Sequence, residues 1–249
     1  MIKINVNPDV QDYIDGVLDG SVVTCKWVKL AVKRHVDDLK HGGDRGLYFD
    51  VDDAQIVLDF FPLLQHSMGK WAGKPFELEP WQKFILWVIF GWKKADGTWR
   101  FTICYNEMAR KNGKSTFAAA IGLILLVLDG EMGAEVYTIA TKLDQAKIIH
   151  AEAQRMVKAS AAIRKIAKVY RSAITVESTN SKYVPLGRDS DTQDGLNVSG
   201  GLIDELHAHK TREMWDVIDS AIGSRPWAAT PMLRALPPTM ELRSYTVTA

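Results

Sequence analysis

The stretch 108–115, Met-Ala-Arg-Lys-Asn-Gly-Lys-Ser, constrains the fold of this chain more than any other part of its sequence. Residues that favour β-structure alternate over 101–105, and an apolar segment, 116–128, follows, so we predict a strand, a loop and a helix in that order. Gly113-Lys114-Ser115 at a helix start directs free backbone N–H groups and the positive end of the helix dipole towards a bound phosphate. In such a loop the lysine neutralises phosphate charge and the serine hydroxyl binds magnesium.

The loop departs from the common pattern Gly-x-x-x-x-Gly-Lys-[Ser/Thr], because methionine stands at position 108 where the pattern has glycine. For that reason the motif by itself also fits a helix that begins with Gly-Lys-Ser and binds no phosphate. A second site elsewhere in the chain has to decide between these interpretations.

Composition limits the class of protein. A chain of 249 residues with 47% hydrophobic content can form one large α/β domain or two small ones. The net charge of +1 means that any contact with nucleic acid depends on a local basic patch. Cys25 and Cys104 are far apart, which predicts neither a disulfide framework nor a metal site and suits a reducing compartment. The longest apolar run, 117–128, is too short for a membrane span, and we expect no signal peptide and no membrane association.

The first part of the chain has helical periodicity. Apolar residues recur at helical spacing over 5–40, which predicts a helix pair, and again over 52–68, where Pro62 should kink or divide the helix. We therefore predict an amino-terminal helical region, 1–70, packed on a nucleotide-binding core, 71–249.

A short motif precedes the phosphate loop at Glu79-Pro80-Trp81-Gln82. The amide of Gln82 can both donate to and accept from an adenine edge, and Trp81 can stack on the base. The alternative is that Trp81 belongs to the core and Gln82 is solvated.

The remaining pattern alternates strands and helices. We predict strands at 97–105, 135–140, 173–176, 182–186 and 198–205, with helix over 144–168 and a polar loop over 187–197 that carries Arg188. This alternation predicts an α/β fold of the P-loop NTPase type, with a mostly parallel central sheet flanked by helices.

The second chemical signal is Asp204-Glu205, at the end of the last apolar strand. In a nucleoside triphosphatase the aspartate holds magnesium opposite Ser115, and the glutamate orients and deprotonates the attacking water. His207 and His209 follow directly, but without a third ligand nearby in the sequence a helix start explains them better than a metal site.

One segment, 142–171, has a marked excess of positive charge. Its basic residues are Lys142, Lys147, Arg155, Lys158, Arg164, Lys165, Lys168 and Arg171, and its only acids are Asp144 and Glu152. Such a run is commonly a solvated helix face, but it can also contact DNA or a neighbouring subunit.

These features together resemble the large terminase subunits of tailed bacteriophages, specifically their amino-terminal packaging ATPase. Those proteins have a phosphate loop that lacks the first glycine and carries an early basic residue, as 109–115 does. They often place Pro-Trp-Gln upstream, as at 80–82. The segments 140–146 and 194–209 are also similar, so that the resemblance covers about residues 70 to 225.

The resemblance implies a role for each matching residue. Lys114 and Ser115 contact phosphate and magnesium, Asp204 is the acid on the magnesium side, and Glu205 is the catalytic base. Arg110 is a candidate sensor or finger within the subunit. The expected nucleotide-binding residues are Trp81, Gln82, Arg110, Lys111, Asn112, Gly113, Lys114, Ser115 and Thr116.

Arg188 is the candidate for an arginine finger donated to a neighbouring subunit, because a guanidinium stabilises charge on the transferring phosphoryl group. A solvated loop arginine is the alternative for this residue.

The resemblance also implies cofactors and partners. ATP and Mg²⁺ are the expected cofactors, and the reaction is ATP hydrolysis coupled to movement of double-stranded DNA into a procapsid. The expected partners are the portal protein, the small terminase subunit and further copies of this chain in a ring, in the host cytoplasm at the portal vertex. Two other functions remain open: another P-loop ATPase such as a helicase-like protein, or a nucleotide-binding module that does not hydrolyse ATP.

The carboxyl end differs from the family pattern, which continues into a Thr- or Ser-rich coupling motif and a nuclease domain. The clustered acids of such a nuclease are missing here, so we expect a truncated or altered end without nuclease activity. Segment 224–249 carries four prolines, which predicts poor material for a central strand, and 246–249 is the candidate remnant of the coupling strand. A shift of reading frame near Arg225 is a further hypothesis that the nucleotide sequence tests.

Overall fold

A computed structural model of the chain describes residues 6–109, 112–187, 197–204, Thr211, Asp216, Ile218 and the strand 232–235. The α-helices in these residues are α1 Pro8–Asp19, α2 Lys26–His41, α3 Val51–Phe60, α4 Pro80–Gly91, α5 Lys114–Val127 and α6 Leu143–Ala159. The strands are β1 Leu47–Phe49, β2 Trp92–Lys94, β3 Ile103–Asn106, β4 Glu135–Ala140, β5 Lys168–Val169, β6 Ile174–Val176, β7 Ser181–Gly187, β8 Val198–Asp204 and β9 Met232–Ala235.

The amino-terminal part is helical, as its apolar spacing predicts. The helix pair expected over 5–40 is α1 and α2, and Asn7 begins α1 by accepting a hydrogen bond from the Asp9 N–H. The helix expected over 52–68 ends at Phe60, and Pro62 lies in the 3-10 turn that follows, so the chain leaves the helix here and does not continue it beyond a kink. Helices α1 and α3 pack against α4, and β1 pairs with β2 in an antiparallel ribbon. The amino-terminal region therefore packs against α4 and pairs with β2, the strand that directly follows α4.

The remaining strands form one sheet in the order β3-β9-β8-β4-β7-β6-β5. Pairings from β3 to β7 are parallel, and those from β7 to β5 are antiparallel. The predicted α/β fold with a mostly parallel central sheet is therefore confirmed. The strand expected over 97–105 is the shorter β3, and the helix expected over 144–168 ends at Ala159 and gives way to a 3-10 turn and β5.

The prediction that segment 224–249 is poor material for a central strand is wrong at 232–235. Strand β9 lies between β3 and β8 and pairs in parallel with both. Pro231 precedes this strand and Pro237 follows it, so each of the strand residues keeps the backbone N–H that the ladder needs. Residues 246–249, the expected remnant of a coupling strand, lie outside the described residues.

Helix α5 is apolar on all sides and packs directly on the sheet. Its residues from Phe117 to Leu126 are all buried. A Cβ atom at Gly122 would lie 2.7 Å from Cζ of Tyr183 on β7 and 2.8 Å from Cδ1 of Leu202 on β8. Glycine at this position therefore lets the helix approach the sheet closely enough to hold its first turn at the sheet's carboxyl edge.

We predict that Gly122→Ala lowers the free energy of unfolding by about 1–3 kcal/mol, because the added methyl group overpacks a buried contact. Chemical denaturation followed by circular dichroism measures this change. Gly43→Ala is the matched control, since no atom lies within 4 Å of its Cβ position. Equal stabilities of the Gly122→Ala and wild-type chains would contradict the packing described.

Candidate functional site

The loop between β3 and α5 ends at Gly113, which leaves open space at the start of the helix. Gly113 directly precedes α5 with a left-handed φ of +73°, and apart from its neighbours in the chain no described residue lies within 4 Å of the position its Cβ would occupy. Its carbonyl accepts the first helical hydrogen bond from the Phe117 N–H at 2.8 Å. The backbone at the helix start therefore faces open space, which an anion can enter. Arg110 and Lys111 lie outside the described residues, so their roles stay predictions.

The structure brings the two predicted halves of the site together. Lys114 Nζ lies 2.9 Å from Asp204 Oδ1, and the two side chains are only 17% and 13% exposed. Lys114 begins α5 and Asp204 ends β8, so both stand at the carboxyl edge of the sheet. Partial burial strengthens their attraction relative to an exposed pair. Glu205, the predicted catalytic base, lies outside the described residues, as do Arg188, His207 and His209.

Lys114 can bind a phosphate through its positive charge, and Ser115 and Asp204 can supply oxygen ligands to a metal ion. Ser115 follows Lys114 in the first turn of α5 and is half-buried. A serine hydroxyl and a carboxylate are the hard oxygen donors that Mg²⁺ prefers, and this ion usually completes its shell with water and substrate phosphates. Within the described part of the chain, no group of three or more His, Cys, Asp and Glu residues is placed to hold a metal by protein ligands alone.

A large cavity of about 1150 Å³ opens beside the phosphate loop. Asn112, Gly113 and Thr116 line one part of it, and Trp81 and Gln82 line another. The cavity therefore joins these predicted nucleotide-binding residues, which are separated in sequence. Other parts of its wall come from α2, from β3 and from residues of α4 that follow Gln82, and no sequence motif indicated these contributions.

Gln82 also has a structural role that the sequence reasoning missed. It is buried, and its Oε1 accepts a hydrogen bond of 2.9 Å from the Glu79 N–H, which is one half of a capping box at the start of α4. The Glu-x-x-Gln spacing is the signal that could have shown it. Trp81 is half-buried and packs edge-on against Phe117, with ring centroids 5.9 Å apart.

The basic residues of 142–171 fall into two groups. Lys147 pairs with Asp144 at 3.0 Å, Arg155 with Glu152 at 2.5 Å, and Lys168 with Glu177 at 2.6 Å. The others are exposed and form no ion pair with any described residue: Lys142, Lys158, Arg164, Lys165 and Arg171. Arg164 and Lys165 lie between the end of α6 and the edge strand β5, and Lys158 lies in the last turn of α6.

Among the residues that the structure describes, no helix is long and apolar enough to cross a membrane.

Comparison with known proteins gives a family and a fold. The sequence model of one protein family, the ATPase domain of the terminase large subunit, matches residues 80–230, which is more than half of the chain. The search of curated proteins found no match.

Several solved structures are similar to this chain. The bacteriophage HK97 large terminase matches with a TM-score of 0.62 and 22% identity over 73% of this chain and 37% of its own. The ATPase domain of the Thermus phage P74-26 large terminase matches with a TM-score of 0.41 and 18% identity over 56% of this chain and 60% of its own. A large terminase of a thermophilic bacteriophage in complex with ADP matches with a TM-score of 0.42 and 11% identity over 54% of this chain and 33% of its own.

A strand, a phosphate loop and a helix, with an acidic strand end beside the loop lysine, define an α/β protein of the P-loop nucleoside triphosphatase class. Within that class, the chain belongs to the family of terminase large-subunit ATPase domains. It spans 37% of the length of the HK97 large terminase.

We predict that Gln82→Ala weakens ATP binding about tenfold while GTP binding changes less, because the amide would recognise the adenine edge. Titration with fluorescent analogues of both nucleotides measures the ratio of the two affinities. Loss of the capping hydrogen bond alone would lower the melting temperature and leave that ratio unchanged. An unchanged ratio would therefore assign Gln82 to helix capping only.

Proposed function

We propose that this chain is the ATP-hydrolysing motor domain of a DNA-packaging terminase, which couples hydrolysis to the movement of double-stranded DNA into a procapsid. The observation that carries the proposal is the 2.9 Å ion pair between Lys114 and Asp204. It places a lysine at a helix start beside an acidic strand end, and these are the two groups that would contact the phosphates and Mg²⁺ of a bound nucleoside triphosphate. Membership of the terminase ATPase family supports the same function.

The residues present fit ATP and Mg²⁺. The open face of Gly113 and the start of α5 can receive the phosphates, and Lys114 can neutralise part of their charge. Ser115 and Asp204 would hold Mg²⁺, which when bound would neutralise charge on the phosphate oxygens.

Lys114 has to exchange one anionic partner for another when a nucleotide binds. Without nucleotide its charge is compensated by Asp204, and a phosphate oxygen competes for the same ammonium group. Release from Lys114 frees the Asp204 oxygen for other contacts. The exchange therefore links phosphate binding to the end of β8.

We assign the proton transfer to Glu205, which follows Asp204 in the chain and would orient and deprotonate the attacking water. Arg110 would act on the phosphates within the subunit. Arg188 would enter the site of a neighbouring subunit and stabilise charge on the transferring phosphoryl group.

The proposed setting is a ring of these chains at the portal vertex of the procapsid, in the host cytoplasm, with the portal protein and the small terminase subunit as partners. Residues 1–70 would form the helical region and 71–249 the ATPase core, and we expect no nuclease activity from this chain. Incubation with plasmid DNA and Mg²⁺ or Mn²⁺ checks the last point, since cleavage would contradict it.

We predict magnesium-dependent ATP hydrolysis by the chain, reduced at least about a hundredfold by Glu205→Gln, because the base that activates water is lost. A coupled phosphate-release assay measures both rates. Equal rates in the two proteins would remove the mechanism proposed. Absence of hydrolysis in both, with ATP still bound, would favour a nucleotide-binding module without turnover.

The same assay tests Arg188. If its guanidinium acts in trans, a mixture of Arg188→Ala and Glu205→Ala chains should regain part of the hydrolysis that each lacks alone, because one kind of subunit supplies the arginine and the other the base. No regain at any mixing ratio would make Arg188 an ordinary loop residue.

We also predict that the basic segment 158–171 contacts the DNA phosphates. Reversal of three exposed charges in Lys158→Glu, Arg164→Glu and Lys165→Glu should weaken binding of a duplex by at least about tenfold and flatten its salt dependence. Fluorescence anisotropy at several salt concentrations measures both effects.

The matched control for this prediction is Lys29→Glu, Lys33→Glu and Lys40→Glu, which changes the same charge on exposed positions of α2. Equal losses in the two triple variants would show a general charge effect. Unchanged DNA binding with altered self-association of the first variant would assign the segment to contacts with a neighbouring subunit.

A helicase-like ATPase would differ from a packaging motor by separating the strands of a duplex during hydrolysis.

A further inference from the structure

Helix α2 forms part of the wall of the large cavity. This part of the wall carries an arginine that has no hydrogen-bond partner among the described residues. Arg34 lines the cavity, and its guanidinium lies over the Phe101 ring, 4.9 Å from the centroid. It makes no hydrogen bond and no ion pair with any residue that the structure describes, and its buried Nε has no partner there. A half-buried guanidinium of this kind lacks both water and protein acceptors for some of its donors.

The carboxylate that interacts electrostatically with Arg34 is that of Asp38, and it already binds two other arginines. Asp38, buried on the next turn of α2, accepts hydrogen bonds from Arg45 at one oxygen and from Arg100 at the other. Burial opposes its ionisation, but those hydrogen bonds outweigh burial and hold the pKa of Asp38 below its usual value. The single negative charge of Asp38 therefore compensates the charges of Arg45, Arg100 and, at longer range, Arg34.

Among the described residues, Asp38 is the only carboxylate that acts on Arg34, although Glu77, Glu79 and Glu107 also line the cavity. Burial raises the pKa of the Cys104 thiol to about 12, and burial lowers the pKa of His35 to about 4, so both are neutral at pH 7. Arg100 adds a second positive charge, and together with burial it lowers the pKa of Arg34. The charge of Arg34 is therefore compensated only weakly by the surrounding protein.

Two further polar groups without partners belong to the lining of the same cavity. Asn106 on β3 is 4% exposed, and its Nδ2 has no hydrogen-bond partner among the described residues. Thr24, before α2, likewise has a buried Oγ1 without a partner there. Much of the remaining wall is apolar, with Val28 and Ile85 among its residues. Donor groups that lack acceptors, set in an apolar wall, suit a ligand with an acceptor-rich head and an apolar body.

We propose that this part of the cavity binds a small organic anion, a carboxylate or a phosphate ester with an apolar body, whose charged head contacts Arg34. Such a ligand supplies the negative charge that Arg34 lacks and acceptors for the Asn106 and Thr24 donors after small side-chain rotations. Arg34, Asn106 and Thr24 are not among the predicted nucleotide-binding residues, although they line the same cavity, so the proposed ligand is a second one beside the nucleotide. The inference does not rest on ATP hydrolysis by the chain.

The test uses benzoate as the probe and thermal unfolding as the measurement. Benzoate should raise the melting temperature of the wild-type chain in a saturable manner, by about 5–10 °C at a hundredfold excess over its Kd. Arg34→Met, which keeps the length of the side chain and removes its charge, should abolish this rise. Lys33→Met, an exposed neighbour on α2, and Lys114→Ala, in the phosphate loop, should both retain it.

Melting temperatures without benzoate separate a binding site from a purely structural arginine. Removal of a poorly compensated charge should leave the melting temperature of Arg34→Met equal to the wild-type value or above it, and Arg34→Lys should keep part of the benzoate response. Equal responses of Arg34→Met and wild type would overturn the proposal, as would a marked fall in the melting temperature of Arg34→Met alone. Loss of the wild-type response in saturating ADP and Mg²⁺ would also overturn it, since the cavity would then be part of one nucleotide site.

Discussion

The ion pair between Lys114 and Asp204 depends on the position of one helix. Lys114 begins α5 and Asp204 ends β8, and their charged atoms meet at 2.9 Å only because α5 lies close against the sheet. Gly122 permits that close approach, since any larger residue would meet the Tyr183 ring. The chemistry at the carboxyl edge of the sheet is thus supported by apolar packing about two helical turns away.

Other elements fix α5 and its loop from the opposite side. Phe117 in the first turn of α5 contacts both Trp81 at the start of α4 and Phe61 after α3, with ring centroids 5.9 and 6.0 Å apart. Ser67 donates a hydrogen bond of 2.8 Å to the buried carboxylate of Glu152 on α6. The amino-terminal helices are therefore held against the nucleotide-binding core by an aromatic contact near the site and by a polar contact farther along the chain. This packing forms the cavity, because the helices stand beside the phosphate loop without filling the space next to it.

The positive charges of segment 158–171 and of Arg34 are compensated in different ways, by water in the first case and only weakly by protein groups in the second. The exposed basic residues of segment 158–171 are hydrated, so their charges cost little and remain available to a polyanion. Arg34 is half-buried, its Nε has no hydrogen-bond partner and its guanidinium no ion-pair partner among the described residues, so its charge is more costly until an acceptor binds. The first arrangement suits reversible contacts with DNA phosphates, and the second suits a small ligand held in a cavity.

The sequence by itself determined the elements of the fold that have strong local signals. The phosphate loop between β3 and α5, the strand β4, the hairpin of β6 and β7, and the acidic end of β8 follow from apolar periodicity and from residue types at helix and strand ends. Tertiary structure decided which elements and side chains are neighbours in space. The ion pair of Lys114 with Asp204, the position of β9 between two distant strands, and the weak compensation of Arg34 all arise from contacts between segments far apart in the chain. Local propensity carries no information on such contacts, because they are selected by the packing of whole elements and by the burial of charge that this packing imposes.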